Sequence, residues 1–183
     1  MKKLFLLLII VSGIIGIYQI RISGSLIEDM PKKTDFFRDI LFFEKEFDGV
    51  MPLEIMIDTK RKKGVMKLTT LKRMDELQET IDSIPELSQP ISIVNLVKYS
   101  KQAYYNNNPE YYSLPTSQEQ AFILSYAKNA TQNSKENLMK SYVDSTGQYA
   151  RITTFIKDEN GKNMEAIEEQ IRAKANKLFP SPR

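Results

Sequence analysis

The chain has 183 residues, which suits one domain of ordinary size. Hydrophobic residues make up 42% and charged residues 27%, a balance typical of a folded domain rather than a disordered one. The chain contains no Cys and no His, which excludes disulfides, thiolate nucleophiles, Ser-His catalysis and nearly every zinc site. Its 26 basic and 23 acidic side chains give a charge of +3, and Lys2 and Lys3 supply two of these charges. The charge therefore does not indicate nucleic-acid binding.

The first segment predicts a membrane anchor. Lys2 and Lys3 precede Leu4–Ile20, which carries no charge, and Arg21 follows it. As a helix this run would be about 25 Å long, slightly short of a hydrocarbon core of roughly 30 Å. A cleaved signal peptide is the alternative, but no A-x-A-like site follows. We expect residues 1–21 to be a cytoplasmic tip and a single transmembrane helix in the inner (cell) membrane, with the rest extracytoplasmic or periplasmic.

Residues 22–50 are predicted to be a linker and an amphipathic helix over Thr34–Asp48, with Thr34 as N-cap and Gly49 as the stop. Two interpretations of its apolar stripe remain: it packs on its own domain, which we favour, or it lies on lipid. The stripe has 4-3-4 spacing and comprises Phe36, Ile40, Phe43 and Phe47.

The next elements are a strand and a helix. Met51–Asp58 alternates between apolar and other residues, which predicts a half-buried strand with Pro52 near its start. A basic run over residues 60–64 is interpreted as a solvated turn. A helix is expected from Thr69 or Thr70 to Pro85. Its buried side is predicted to comprise Leu71, Met74, Leu77, Ile81 and Ile84.

Residues 86–137 are interpreted as a helical insertion. We predict a helix over Ile93–Tyr105, and then a loop in which Asn and Pro interrupt any periodicity. A second helix is expected from Thr116 or Ser117 to Asn129. Ala121, Leu124 and Tyr126 are its candidates for burial.

Four tyrosines in this loop are the candidate contact residues. They either form a surface for a partner or an amphiphile, or cover the edge of a small core. The four are Tyr104, Tyr105, Tyr111 and Tyr112.

The last third predicts a hairpin and a helix. Leu138–Val143 and Gln148–Ile156 resemble paired strands, joined by a turn at Asp144–Gly147. An amphipathic helix then follows, with a stripe that comprises Met164, Ile167, Ile171, Ala175 and Leu178.

This order of elements predicts an α+β fold for the extracytoplasmic part, residues 51–183. It is a ferredoxin-like split βαβ pattern that lacks its final strand. The first strand should lie centrally, beside the vacant position of the missing fourth strand. A domain that ends one strand early is expected to be a fragment.

The same segments resemble one repeat of an RND-superfamily exporter of the MMPL or Patched-like type. The sharpest motif is F-x-G-x-x-P-L-E-I from Phe47 to Ile55, and Ile84-Pro85-Glu86-Leu87 is also similar. The resemblance covers about residues 1–180 and implies that the strand and helix belong to a porter domain. It also implies twelve transmembrane helices in two repeats and proton-driven export of lipids or other amphiphiles. This chain stops before the further membrane helices that would hold the proton-coupling residues, so none is assigned here.

We therefore expect a porter segment of an exporter, with a free-standing membrane-anchored binding module as the alternative. The expected partners are membrane lipid, the rest of an RND-type transporter or a second copy, and a hydrophobic or amphiphilic substrate, but not nucleic acid. An enzyme is not expected, because neighbouring carboxylates such as Glu168 and Glu169 do not converge on a helix. No catalytic, metal or cofactor residue is predicted. The substrate, the oligomeric state and the repeat to which the chain belongs are left open.

Overall fold

The structure, a computed structural model, describes residues 12–13, 30–132, 138–158 and 161–180. Within these ranges the chain forms five α-helices and one three-stranded antiparallel sheet, so the predicted α+β class is confirmed. The helices are α1 (Asp35–Phe47), α2 (Leu68–Asp82), α3 (Ile93–Tyr104), α4 (Gln120–Gln132) and α5 (Gly161–Leu178). The strands are β1 (Met51–Asp58), β2 (Ile91–Ser92) and β3 (Tyr149–Ile156).

The sheet has the order β1-β3-β2, so among the described strands β3 is central and β1 lies at one edge. The predicted central position of the first strand is therefore wrong for the described sheet, because none of its strands pairs with the other side of β1. The first strand pairs along its whole length with β3, from Met51 opposite Ile156 to Asp58 opposite Tyr149. Alternate side chains of each strand point to the same face of the sheet. On β3 the inward set predicted from the sequence is confirmed, because Ala150, Ile152, Thr154 and Ile156 are all buried.

The core lies between one face of the sheet and the helices α2 and α5. The predicted buried stripe is confirmed, and its last member lies just after α2, which ends at Asp82 rather than at Pro85. Its members, all buried in one cluster, are Leu71, Met74, Leu77, Ile81 and Ile84. Ile167 and Ile171 of α5 belong to the same cluster, together with Ile57, Ile152 and Ile156 of the sheet. Both helices therefore cover the same face.

The predicted strand Leu138–Val143 is wrong. Leu138–Ser141 forms a 3-10 helix, and Val143 makes only an isolated bridge to Ala150. The place beside β3 is instead taken by β2, opposite Ile152 and Thr153. This short strand lies inside residues 86–137, so the helical insertion begins only after Ser92. The turn at Asp144–Gly147 is confirmed, with Gly147 at φ 69°.

The helix α1 has the predicted caps. The Thr34 side chain accepts a hydrogen bond from the Phe37 N–H at 3.3 Å, and Asp48 and Gly49 end the helix at positive φ. Its stripe does not pack on the described part of the domain: Phe36, Phe43 and Phe47 are 52–63% exposed. The favoured packing interpretation is therefore wrong for these side chains.

The predicted anchor at Leu4–Ile20 lies outside the described residues except for Ser12 and Gly13. Among the helices that the structure describes, none is both long and apolar enough to cross a membrane. The predicted anchor stays a prediction.

Candidate functional site

The four predicted tyrosines lie at one end of the helical insertion. Tyr104 is the last residue of α3, and Tyr111 ends a 3-10 turn that begins at Pro109. The rings of Tyr105 and Tyr111 stack with their centroids 4.2 Å apart, and Tyr104 meets Tyr105 edge-on at 5.3 Å. Tyr112 packs instead against Tyr99, with the ring centroids 4.7 Å apart. The structure thus brings three of the four together and places the fourth in a neighbouring pair.

The helix α4 adds two rings that the sequence interpretation missed. Phe122 and Tyr126 lie 5.2 Å and 5.6 Å from the Tyr104 ring. Tyr126 is 39% exposed and Ala121 is also exposed, so the predicted burial of both is wrong, while Leu124 is half-buried. Ile123 and Ala127 are buried instead. The four-residue spacing of Phe122 and Tyr126 was the available signal, because such residues share one face of a helix.

We call these seven rings the aromatic surface, and all except Tyr105 are more than one-third exposed. Aromatic rings that carry hydroxyls present apolar area beside a polar group, which suits molecules with both characters. The aromatic surface comprises Tyr99, Tyr104, Tyr105, Tyr111, Tyr112, Phe122 and Tyr126.

A mostly buried ion pair holds this surface in place. Lys101 Nζ lies 3.0 Å from a carboxylate oxygen of Glu119, with the two side chains 8% and 16% exposed. The Tyr105 hydroxyl donates to the same carboxylate at 2.9 Å, and the Thr116 N–H donates at 2.8 Å. We call these four groups the Glu119 network. It joins α3 to the segment before α4 and fixes the direction of the Tyr105 ring.

The Glu119 network also sets its own charge state. The Thr116 N–H, together with the Lys101 ammonium and the Tyr105 hydroxyl, lowers the pKa of Glu119 to about 2, although burial opposes this. The hydrogen bond to Glu119 raises the pKa of Tyr105. A carboxylate that stays ionised and accepts from three donors is suited to positioning the Tyr105 ring rather than to proton transfer.

A second feature is a groove between β1 and α5. It has a volume of about 580 Å³. A neighbouring cavity of about 330 Å³ shares Ile55 and Ala175 with it and reaches Asp58. Apolar side chains on the two walls include Leu53 and Ile55 of β1 and Met164 and Ile171 of α5. We call it the β1 groove.

Within the described ranges, no three acidic side chains are arranged to hold a metal ion. Comparisons with protein-family models, with curated proteins and with solved structures found no match to this chain.

Proposed function

We propose that this chain is the anchor and porter-type domain of one repeat of an RND-superfamily exporter of the MMPL type. In this proposal the domain contributes to the pathway of a lipid or another hydrophobic or amphiphilic compound. Proton-driven transport would belong only to the full-length protein in its cell (inner) membrane.

One observation carries the proposal, namely the order of the sheet. A ferredoxin-like split βαβ unit has the strand order 4-1-3-2 with both helices on one face, and β1-β3-β2 is that order without strand 4. The helices α2 and α5 share one core with the sheet, as the pattern requires. The F-x-G-x-x-P-L-E-I run supports the same proposal. In the exporters that it resembles, the corresponding strand is the first of the porter domain.

The aromatic surface supports a substrate or partner of mixed character. Six of its rings are more than one-third exposed and offer apolar faces next to phenol hydroxyls. The same observation favours the alternative, a free-standing membrane-anchored module that uses this surface to bind a partner.

Sequencing the genomic DNA on both sides of the coding segment separates these proposals. For an exporter, the reading frame continues beyond Arg183 into further apolar segments long enough to cross a membrane. A stop codon directly after Arg183, with no adjacent membrane-helix coding sequence, contradicts the exporter and leaves the anchored module.

A transport assay on the complete gene tests the role of the aromatic surface. Deleting the gene should sensitise cells to bile salts or hydrophobic dyes, and a protonophore should abolish the protection in wild-type cells. The double substitution Tyr104→Ser/Phe122→Ser should reduce protection, because it removes two neighbouring exposed rings. Tyr149→Ser is the matched control, since Tyr149 is similarly exposed but lies on β3. Equal loss in both variants would contradict a specific role for the aromatic surface.

A further inference from the structure

Another groove lies on the face of the sheet opposite the core. Successive side chains of a strand point to opposite faces, so the neighbours of the buried residues on β3 point away from α2 and α5. These outward side chains form the floor of a groove with a volume of about 500 Å³, and we call it the outer groove. Its floor comprises Glu54, Ile91, Arg151, Thr153 and Phe155.

Two segments outside the sheet form the walls of the outer groove. One wall is the carboxyl end of α1, with Glu46, Phe47 and the C-cap Asp48. The other wall is formed by Ser141 and Tyr142, at the end of the 3-10 helix before β3. The groove therefore combines residues from four separate parts of the chain.

The α1 wall is attached to the end of β3. The Glu44 carboxylate accepts a hydrogen bond from the Asp158 N–H at 2.9 Å. Lys157 Nζ lies 3.4 Å from a carboxylate oxygen of Asp48. Because these contacts hold the wall in place, a ligand would enter a groove that the fold has already formed, which lowers the entropic cost of binding.

The outer groove exposes a set of apolar side chains. Phe47, Ile91 and Phe155 line it and are 40–58% exposed. Tyr142 adds a half-buried ring. Small-molecule sites are concave, mostly apolar and roughly 300–1,000 Å³ in volume, so the size and lining of this groove suit the apolar part of a small ligand.

The charges around the outer groove are mainly negative. Glu46, Asp48 and Glu54 line it, and Arg151 is the cation among its lining residues. Arg151 donates to Glu54 at 2.9 Å and to the Ser141 carbonyl at 2.7 Å, so Glu54 compensates its charge. Within the described part of the chain, no cation forms an ion pair with Glu46.

The helix α1 adds to this negative field. It has 13 residues and its carboxyl end lies at the groove, where the helix dipole presents its negative end. Aromatic rings also attract cations to their faces, and three of the lining residues are Phe47, Tyr142 and Phe155. The charges, the dipole and the rings therefore all favour a positively charged ligand.

We infer that the outer groove binds an organic cation with an apolar body, such as a long-chain ammonium or pyridinium. The apolar body lies against Phe47, Ile91 and Phe155, and the cationic group lies near Glu46 and Asp48. A second copy of the chain fits less well, because a two-fold contact would bring the same acidic surfaces together. The place of this site on an export pathway rests on the proposed function, but the binding itself does not.

Tryptophan fluorescence tests the inference, because the chain contains no Trp. Two variants of the 183-residue chain are placed in phosphatidylcholine nanodiscs: Phe155→Trp reports on the groove floor, and Phe42→Trp reports on a side chain of α1 outside the groove. The probe is decylpyridinium, a cationic amphiphile that quenches indole fluorescence on contact. Quenching should saturate in Phe155→Trp and rise without saturation in Phe42→Trp. Tyr142→Trp provides a second reporter, on the wall, and should give the same dissociation constant as Phe155→Trp.

Charge variants in the Phe155→Trp background locate the cationic group. Glu46→Gln/Asp48→Asn should raise the dissociation constant by about fivefold. Asn tolerates the positive φ of residue 48, so this change removes charge without straining the backbone. The matched control, Glu165→Gln/Glu169→Gln, removes the same charge from α5, which packs on the other face of the sheet, and should leave the dissociation constant unchanged.

A second pair of variants and two competitors test the apolar contact and the sign of the charge. Phe47→Ser should raise the dissociation constant by about fivefold, whereas Phe42→Ser should not, although both rings are 58% exposed. Decyltrimethylammonium should displace the probe, and decyl sulfate should be about tenfold less effective.

Each other result overturns a defined part of the inference. Quenching that does not saturate, or that is equal in Phe155→Trp and Phe42→Trp, would show partition into the bilayer only. Equal displacement by decyl sulfate, or an equal loss in the α5 control, would overturn the assignment of a cation to this groove. Absence of quenching, with an emission that shifts when two chains share one nanodisc, would assign the groove to a second copy. A stop codon directly after Arg183 would contradict the proposed function and leave the binding result standing.

Discussion

Removing the ammonium of Lys101 should destabilise the domain through the Glu119 network. The pair is mostly buried, with side chains 8% and 16% exposed. Breaking a fully buried pair by removing one partner costs about 3–5 kcal/mol, because the other charge is left uncompensated. Glu119 keeps the Thr116 and Tyr105 donors and some contact with water. We therefore expect Lys101→Met to lower the free energy of unfolding by about 2–4 kcal/mol.

A double-mutant cycle separates the pair from the packing of its side chains. Glu119→Gln should cost a similar amount, since it leaves the Lys101 charge buried. The double variant Lys101→Met/Glu119→Gln should be more stable than the sum of the single effects predicts, by at least about 1 kcal/mol. Urea unfolding followed by circular dichroism measures all three. Additive single effects would show that Lys101 and Glu119 contribute no coupling energy.

The matched control is the pair of Lys174 and Glu76, which lie 2.6 Å apart with side chains 26% and 52% exposed. Its double-mutant cycle should give a coupling of at most about 1 kcal/mol, because solvent screens exposed pairs. A coupling as large as that of Lys101 and Glu119 would show that burial is not the cause.

The pH dependence of unfolding provides an independent measurement on the same network. The pKa of Glu119 is lowered to about 2 in the folded state, so its contribution to stability is present above its unfolded value near 4.5. That contribution should be lost as the pH falls from about 5 through 2. The Glu119→Gln variant should show a shallower loss of stability over this range than the wild type. Equal slopes would contradict the assigned pKa.

Other parts of the chain give four further predictions. The protein should sediment with membranes at full mass, and protease should digest it only from the extracytoplasmic side. A soluble product shortened by about 22–25 residues would show signal-peptide cleavage instead. Ile10→Arg should weaken membrane retention, at a cost of about 2.5–3.5 kcal/mol of insertion. The 183-residue chain expressed alone should leave the sensitivity of cells to bile salts or dyes unchanged. The reason is that one membrane helix cannot form the two halves that alternating access requires. Efflux that depends on this chain alone would contradict the prediction. Gly49→Ala should lower the free energy of unfolding by about 2–4 kcal/mol. Gly49 has φ 150°, and an added Cβ would lie 2.7 Å from the Ile156 carbonyl carbon. An unchanged urea midpoint would contradict this prediction.

Elements with a long, local periodicity could be predicted from the residues alone. The alternation of Met51–Asp58 predicts β1, and the helical spacing from Leu71 to Ile81 predicts α2 and its buried side. The turn at Asp144–Gly147 was also predictable, because Gly147 allows a positive φ that other residues adopt at a cost. In each case the pattern depends on residues close together in the chain.

The segment that completes the sheet beside β3 could not be predicted from a local pattern, because long-range packing selects it. Leu138–Val143 has enough apolar residues to suggest a strand, whereas β2 has only two residues and no periodicity to detect. The pairing of Ile91 with Thr153 depends on a partner 62 positions away, which no local pattern contains. In α4 the sequence likewise offers two rows with the same four-residue spacing, Phe122 with Tyr126 and Ile123 with Ala127. Packing buries the second row and leaves the first exposed beside Tyr104, because the position of α3 decides which face of α4 is covered.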